Sequence, residues 1–192
     1  MDARTIILLL LSIILFHGPQ TAQGATLTEH SPIFINGDSG WINSNGVLPG
    51  GNGSSSNPYI IESWNISAPN APGIHINNTR SYFIIRNVFI HDGNTTGILL
   101  ENVADGIVEN STITNNSNGI VLAGCTRNII QSNTLLHNHY GIEVEGGKNN
   151  TLAGNQAYYS LNNTLTGNTL VNNKFGIHIT NSSPHTKRKR TL

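Results

Sequence analysis

The chain has 192 residues, of which 28 are Asn, 20 are Gly and only 10% are charged. Asn and Gly are poor helix formers, so the composition excludes a protein built of long helices, and frequent Ile, Leu and Val argue against disorder. Residues 25–186 carry five basic and nine acidic side chains, a net charge of minus four, which disfavours nucleic-acid binding. The composition predicts a turn-rich β protein.

The first 24 residues have the pattern of a signal peptide. Arg4 is followed by an apolar run over residues 6–16 and by small residues at Ala22 and Gly24. A helix of eleven residues spans about 16 Å, too short for a ~30 Å hydrocarbon core. We therefore expect an exported mature chain without a transmembrane span, located in the extracellular space, at the cell surface or in the periplasm.

Residues 25–72 differ in composition from the rest. They contain Phe34, Trp41, Tyr59, Trp64 and five of the seven prolines. Because a solenoid has an open apolar end that must be covered, we predict an N-terminal cap and entry segment here.

From residue 73 onward the sequence repeats. Gly-Ile pairs begin at Gly73, Gly97, Gly119, Gly141 and Gly176, at spacings of 24, 22, 22 and 35 residues. Each unit holds short apolar segments separated by Asn, Gly, Ser and Asp, a pattern typical of short strands joined by turns. Three strands per unit predict an all-β fold, a right-handed parallel β-helix of about five to six coils over residues 73–181. Asn suits the corners, where stacked Asn residues are expected to form amide ladders.

The 35-residue interval indicates an irregular coil. Residues 149–155 are nearly repeated at 162–168, only 13 residues later, so about one strand and its turn are missing. We expect a distorted or looped-out coil near residues 157–161, and a solvated basic tail over residues 182–192. The single cysteine, Cys125, cannot form an internal disulfide and is expected to be buried.

Several of these motifs also carry a family resemblance over about residues 30–181. Asn57–Trp64 (NPYIIESW), Tyr82–Asn87 (YFIIRN) and the Gly-Ile and Asn-Asn-Thr-Leu units resemble the NosD-like family of exported β-helix proteins, often described as periplasmic copper-binding. They also resemble carbohydrate-binding and sugar-hydrolase repeat domains of archaeal and bacterial surface proteins. The resemblance implies a solenoid fold and a choice between copper and sugar as ligand.

Catalysis on polysaccharides is the first function to weigh. Glu143 and Glu145 lie two apart on a predicted strand and should both point outward, with Glu101 in the same row as Glu145 two coils earlier. Their separation along the strand approaches the range of inverting glycosidases. The sequence lacks the clustered Asp, Gly-His-Gly and Asp-Pro-His signatures of β-helix hydrolases, lyases and epimerases. We expect no enzyme activity, with a polysaccharide lyase or hydrolase as an alternative.

Copper binding is the second. His137 and His139 lie two apart, and His91 falls near them after the 24-residue coil is re-registered. Imidazoles suit copper, so an envelope copper-binding or maturation accessory protein is a further alternative. Surface histidines in turns are the simpler interpretation, and we expect no cofactor.

A noncatalytic sugar-binding face is the third and preferred function. Tyr140 and Phe175 each directly precede a Gly-Ile strand, where exposed rings can stack on sugars, with Glu143, Glu145 and Glu101 nearby. The expected partner is a polysaccharide or a cell-envelope glycan, and end-to-end pairing of rods is possible. An inactive remnant of a longer surface protein stays an alternative. Nine N-glycosylation sequons accompany this interpretation, beginning at Asn52, Asn65, Asn77, Asn94, Asn110, Asn115, Asn149, Asn162 and Asn181.

Overall fold

A computed structural model describes residues 26–155 in full and, beyond them, the backbone of three strands over residues 164–166, 170–171 and 175–180. The predicted signal peptide, the predicted distortion near residues 157–161 and the basic tail lie outside the described residues. Within the described part, no helix combines the length and the apolar character needed to cross a membrane.

The described residues form eighteen strands and two short 3₁₀ turns, at Asp38–Gly40 and Asn43–Asn45. In chain order the strands are β1 (Thr28–Glu29), β2 (Ile33–Asn36), β3 (Tyr59–Glu62), β4 (Trp64–Ser67), β5 (Ile74–Asn77), β6 (Phe83–Arg86), β7 (Phe89–His91), β8 (Gly93–Glu101), β9 (Gly106–Glu109), β10 (Thr112–Thr114), β11 (Asn116–Ala123), β12 (Ile129–Gln131), β13 (Thr134–Leu136), β14 (Tyr140–Glu145), β15 (Thr151–Ala153), β16 (Thr164–Thr166), β17 (Leu170–Val171) and β18 (Phe175–Thr180).

These strands build three parallel sheets that wrap around one core. Sheet A has the order β1-β4-β7-β10-β13-β17, sheet B the order β2-β5-β8-β11-β14-β18, and sheet C the order β3-β6-β9-β12-β15-β16. Each strand pairs with its equivalent in the next coil, as in Ile98 with Ile120 and Ile120 with Ile142. The predicted all-β parallel solenoid is confirmed.

The core consists of stacked aliphatic side chains that alternate with outward residues along each short strand. Ile74, Ile98, Ile120 and Ile142 form one such stack in sheet B, and all are fully buried. Cys125 is also buried, as predicted, and burial raises the pKa of its thiol to about 11. Its Sγ donates to the carbonyl oxygen of Leu100 at 3.2 Å.

Left-handed residues form the corners. Between sheets C and A, a single residue with positive φ turns the chain in each coil, and Asn87 and Asn110 are two of these, with φ of 51° and 49°. Asn adopts this conformation more readily than other residues with a side chain, so the predicted role of Asn at corners is confirmed.

A second set of asparagines points inward and connects the coils. Asn128 and Asn150 belong to one ladder, Asn116 and Asn138 to another, and all four are at most 4% exposed. In each pair the earlier side-chain amide donates to the later amide oxygen, at 3.1 and 3.2 Å. The predicted amide ladders are thereby confirmed.

Close packing explains the Gly-Ile motif. A Cβ atom at Gly73 would lie 2.9 Å from the carbonyl oxygen of Gly97, and one at Gly97 would lie 2.8 Å from that of Gly119. Side chains from sheet A press on the same positions, Ile90 on Gly73 and Ile113 on Gly97. Only glycine fits where sheet A turns into sheet B.

The segment expected to form a cap also supplies the first strand of each sheet. Strand β1 pairs with β4, β2 with β5, and β3 with β6. Trp41, which is 7% exposed, stacks on Tyr59 at 4.9 Å and packs against Phe83 at 5.1 Å. Large aromatic side chains thus fill this end of the core.

The long interval is visible in the strand order. Strands β15 and β16 are neighbours in sheet C, whereas β17 pairs with β13 in sheet A and β18 with β14 in sheet B. The described residues contain no strand of sheet A or B between Ala153 and Thr164. Sheet C therefore gains a strand without a complete coil.

Candidate functional site

The outward side chains of sheet B, which we call the sheet-B face, include most of the residues predicted to bind sugar. The strand register places Glu101, Ala123 and Glu145 in one row, as the spacing predicted. Glu143 lies in the next row, opposite Val121. Because Val144 between the two glutamates is fully buried, both carboxylates point outward.

Tyr140 lies at the start of β14, where this face meets the corner from sheet A. Its ring contacts that of His139 edge-on, with centroids 4.6 Å apart. In the register it lies opposite Asn118 of the preceding coil and Phe175 of the following one. The Asn118 Nδ2 donates to Glu143 Oε2 at 2.6 Å. A ring, an amide and a carboxylate are therefore adjacent on one surface.

The other end of the face holds a second cluster, which the sequence did not reveal. His75 Nε2 lies 2.6 Å from Glu101 Oε2, and the His75 ring packs against Phe34 with centroids 5.0 Å apart. Phe34 is 55% exposed. His75 and Glu101 lie on adjacent strands, diagonally opposed. No spacing motif marks such a pair, because one partner comes from each of two coils of different length.

Between these clusters the face is apolar. Leu99, Val121 and Ala123 are its outward residues there, and Val121 is only 6% exposed. The face therefore combines apolar surface with a polar cluster at each end, which is the composition typical of small-molecule sites.

A groove adjoins Tyr140 at the corner between sheets A and B. It has a volume of about 540 Å³ and is lined by Gly93, Asn94, Asn115, Asn116, Ser117, His137, Asn138 and His139. Asn116 is 4% exposed, and its Oδ1 has no hydrogen-bond partner among the described residues. The lining side chains are amides, imidazoles and one hydroxyl, so they offer hydrogen bonds to a ligand without a formal negative charge.

The three candidate copper ligands do not come together. His137 and His139 line the groove, but His91 lies on sheet A, where Asp92 Oδ2 contacts its Nδ1 at 2.8 Å and Asn65 Oδ1 its Nε2 at 3.1 Å. Its row is two coils before that of Leu136, a distance of about 10 Å along the rod. Across the part of the chain that the structure describes, no three His, Cys, Asp or Glu side chains gather as metal ligands do.

Sequon asparagines have accessible positions wherever the structure describes them. Five are exposed: Asn52, Asn94, Asn110, Asn115 and Asn149. Asn65 and Asn77 are half-buried, and the remaining two sequons lie outside the described residues. In the Asn-Asn pairs at 115–116 and 149–150, the first residue points outward and the second joins an internal ladder.

Comparison with known proteins identifies the repeat. A family model described as a right handed beta helix region matches residues 23–190, which is most of the chain. No curated protein and no solved structure matches this sequence.

Proposed function

This chain belongs to the right-handed β-helix family, and on that premise we propose that it is an exported, noncatalytic repeat protein that binds carbohydrate on the sheet-B face. The β-helix supplies a rigid surface on which side chains from successive coils lie about 4.8 Å apart. Such a surface suits an extended polymer better than a compact metabolite.

The observation that carries this proposal is the cluster around Tyr140. An aromatic ring offers an apolar surface to the C–H face of a sugar, and the neighbouring Asn118 and Glu143 offer donors and acceptors to its hydroxyl groups. The groove lined by His139 continues this surface around the corner, so a chain of more than one sugar has room to contact both.

Charge favours neutral sugars. Glu101, Glu143 and Glu145 all belong to the sheet-B face, and like charges brought together at an interface disfavour binding. We therefore expect neutral polysaccharides to be retained in preference to polyuronates, the opposite of what a cationic cleft would select.

Affinity chromatography on immobilised polysaccharides, neutral and acidic, tests the proposal against a sugar-free matrix. The protein should be retained on at least one neutral polysaccharide, and Tyr140→Ala should weaken retention roughly tenfold, as expected for losing a central aromatic contact. Tyr82→Ala is the matched control, because Tyr82 is 39% exposed and lies beside sheet C. Absence of retention on every matrix, or an equal effect of the two substitutions, would refute the proposal.

Copper binding is a second candidate, because His137 and His139 line one groove. The groove lining contains no Cys, Asp or Glu, so it supplies two imidazoles and amide oxygens. If Cu²⁺ binds there, it raises the melting temperature, and His137→Ala removes the effect while His91→Ala preserves it. An unchanged melting temperature of the parent protein with excess Cu²⁺ would exclude this function.

A further inference from the structure

The outer face of sheet C carries a continuous apolar stripe. Ile60, Ile84, Ile107 and Ile129 lie in one row across strands β3, β6, β9 and β12. All four are half-buried, while the core on the inner side of these strands is already filled by other residues, such as Ile85 and Val108. An outward face of a sheet in contact with water is normally polar, so the stripe has no role within its own coil.

A row of charged and polar residues borders the stripe two positions further along each strand. It consists of Glu62, Arg86, Glu109 and Gln131. Arg86 donates to Glu62 at 2.8 Å, and Gln131 donates to Glu109 at 2.7 Å. The Nε of Arg86 is buried without a hydrogen-bond partner among the described residues. The order of charges along the rod is thus negative, positive, negative, neutral.

We propose that sheet C is the interface of a homodimer in which two copies pack their Ile stripes face to face. A two-fold axis that runs parallel to the strands, between β6 and β9, reverses the coil order and leaves each row opposite itself. Ile84 then faces Ile107 of the second copy, and Ile60 faces Ile129. The contact uses the same patch on both copies, as a closed two-fold dimer requires.

Charge complementarity selects this axis. Arg86 of each copy faces Glu109 of the other, and Glu62 faces Gln131, so the arrangement forms two opposite-charge pairs and no like-charge pair. An axis through β6 would place Arg86 against Arg86, and one through β9 would place Glu109 against Glu109. An axis between β3 and β6 pairs Glu62 with Arg86 but leaves Ile129 uncovered.

The size of the face indicates weak, reversible association. Four strands span roughly 15–20 Å along the rod and each strand of four residues about 13 Å. Such a patch is at the lower end of specific interfaces, where transient complexes are found. We expect a monomer–dimer equilibrium that depends on protein concentration.

Charge reversal in separate and mixed samples tests the geometry by sedimentation velocity. Arg86→Glu alone opposes two carboxylates in the dimer, and Glu109→Arg alone opposes two guanidinium groups, so each purified variant should dimerise at least roughly tenfold more weakly than the parent. An equimolar mixture should regain dimers, because the carboxylate introduced by the first substitution then faces the guanidinium introduced by the second, while the native pair forms on the opposite side. Glu145→Arg on sheet B is the control and should dimerise like the parent.

A second variant tests the apolar stripe without a charge change. Ile84→Thr/Ile107→Thr should weaken dimerisation while the circular dichroism spectrum stays native, since the same row continues with Thr151. Leu99→Thr on the sheet-B face is its matched control. The proposal is overturned if the parent stays monomeric up to roughly 1 mM, the range of the weakest specific complexes. It is also overturned if the mixed charge variants stay monomeric while the Thr variants dimerise like the parent.

Discussion

Asn150 Oδ1 accepts a hydrogen bond from the backbone N–H of Asn128, one coil earlier, at 2.9 Å. Its Nδ2 donates to the carbonyl oxygen of Cys125 at 2.8 Å. One buried amide therefore satisfies two main-chain groups at a corner, where the strand ladder is interrupted. Because unpaired main-chain groups are costly to bury, the ladder allows a corner inside the rod to be both polar and dry.

Asn128 is the position at which we expect the largest loss of stability from removing an amide. Its Oδ1 accepts from Gly106 N at 2.9 Å and its Nδ2 donates to the Val103 oxygen at 3.0 Å. Asn128→Ala leaves several buried groups unpaired and should lower the free energy of unfolding by about 2–4 kcal/mol. Asn110→Gly is the control at an exposed corner with φ of 49°, and should change it by less than about 0.5 kcal/mol. Urea denaturation measures both; equal losses would contradict a structural role for the ladder.

The inward register of sheet B can be tested on a single strand. Ile120 is fully buried, whereas Ala123 of the same strand lies on the outer face between Glu101 and Glu145. Ile120→Lys buries a charge without a partner and should prevent folding at ordinary temperature. Ala123→Lys places the same side chain near two carboxylates and should keep the parent melting temperature within a few degrees. Thermal denaturation followed by circular dichroism distinguishes them, and cooperative unfolding of Ile120→Lys at the parent temperature would disprove the register.

Much of this fold follows from local patterns in the sequence. The Gly-Ile spacing predicts the coil length because every coil repeats the same steric need at the corner, as at Gly97. Asn is informative for the same reason: positive φ and an internal amide each recur once per coil. Two functions of Asn are superposed in Asn-Asn pairs, and only the structure separates outward Asn115 from buried Asn116.

The sites are less accessible to sequence reasoning because their partners come from different coils. Glu101 and Glu145 were placed in one row correctly, since both belong to the regular part of the repeat. His75 and Glu101 span a coil of 24 residues and meet diagonally, and the charges bordering the sheet C stripe become a row only in the register. His91 was expected near His137, but the chain reaches them on different coils.

Glycine at the sheet A–B corner should be far less replaceable than glycine at an open corner. A Cβ atom at Gly119 would collide with the carbonyl oxygen of Gly141 and with Leu135. Gly119→Ala should therefore lower the free energy of unfolding by about 3 kcal/mol or more, as overpacking against backbone does. Gly124 has φ of 61° and no atom within 4 Å of such a Cβ, so Gly124→Ala should cost about 1 kcal/mol of conformational strain. Chemical denaturation compares the two, and a smaller loss at Gly119 than at Gly124 would rule out this account of the Gly-Ile motif.

Acid should loosen the attachment of the N-terminal segment through Asp38. Hydrogen bonds from the Thr79 hydroxyl at 2.5 Å and the Ser81 hydroxyl at 2.8 Å lower the pKa of Asp38 from its ordinary value of 3.8. The folded state holds this proton less tightly than the unfolded state does, so the stabilisation is complete above the ordinary pKa. It disappears as the pH falls through the lowered value.

Asp38→Asn isolates this effect from other carboxylates, such as Glu62, whose pKa is lowered by Arg86. The parent should melt at a higher temperature than the variant at about pH 6, and the difference should shrink towards about pH 2, where Asp38 of the parent is protonated. Glu29→Gln is a control at an exposed position. Melting temperatures measured across this range decide the matter, since a difference that stays constant or grows in acid would mean that the Asp38 carboxylate contributes nothing through its charge. Because Trp41 Nε1 also donates to Thr79 Oγ1 at 3.3 Å, tryptophan fluorescence recorded in the same titration reports whether the segment detaches before the coils unfold.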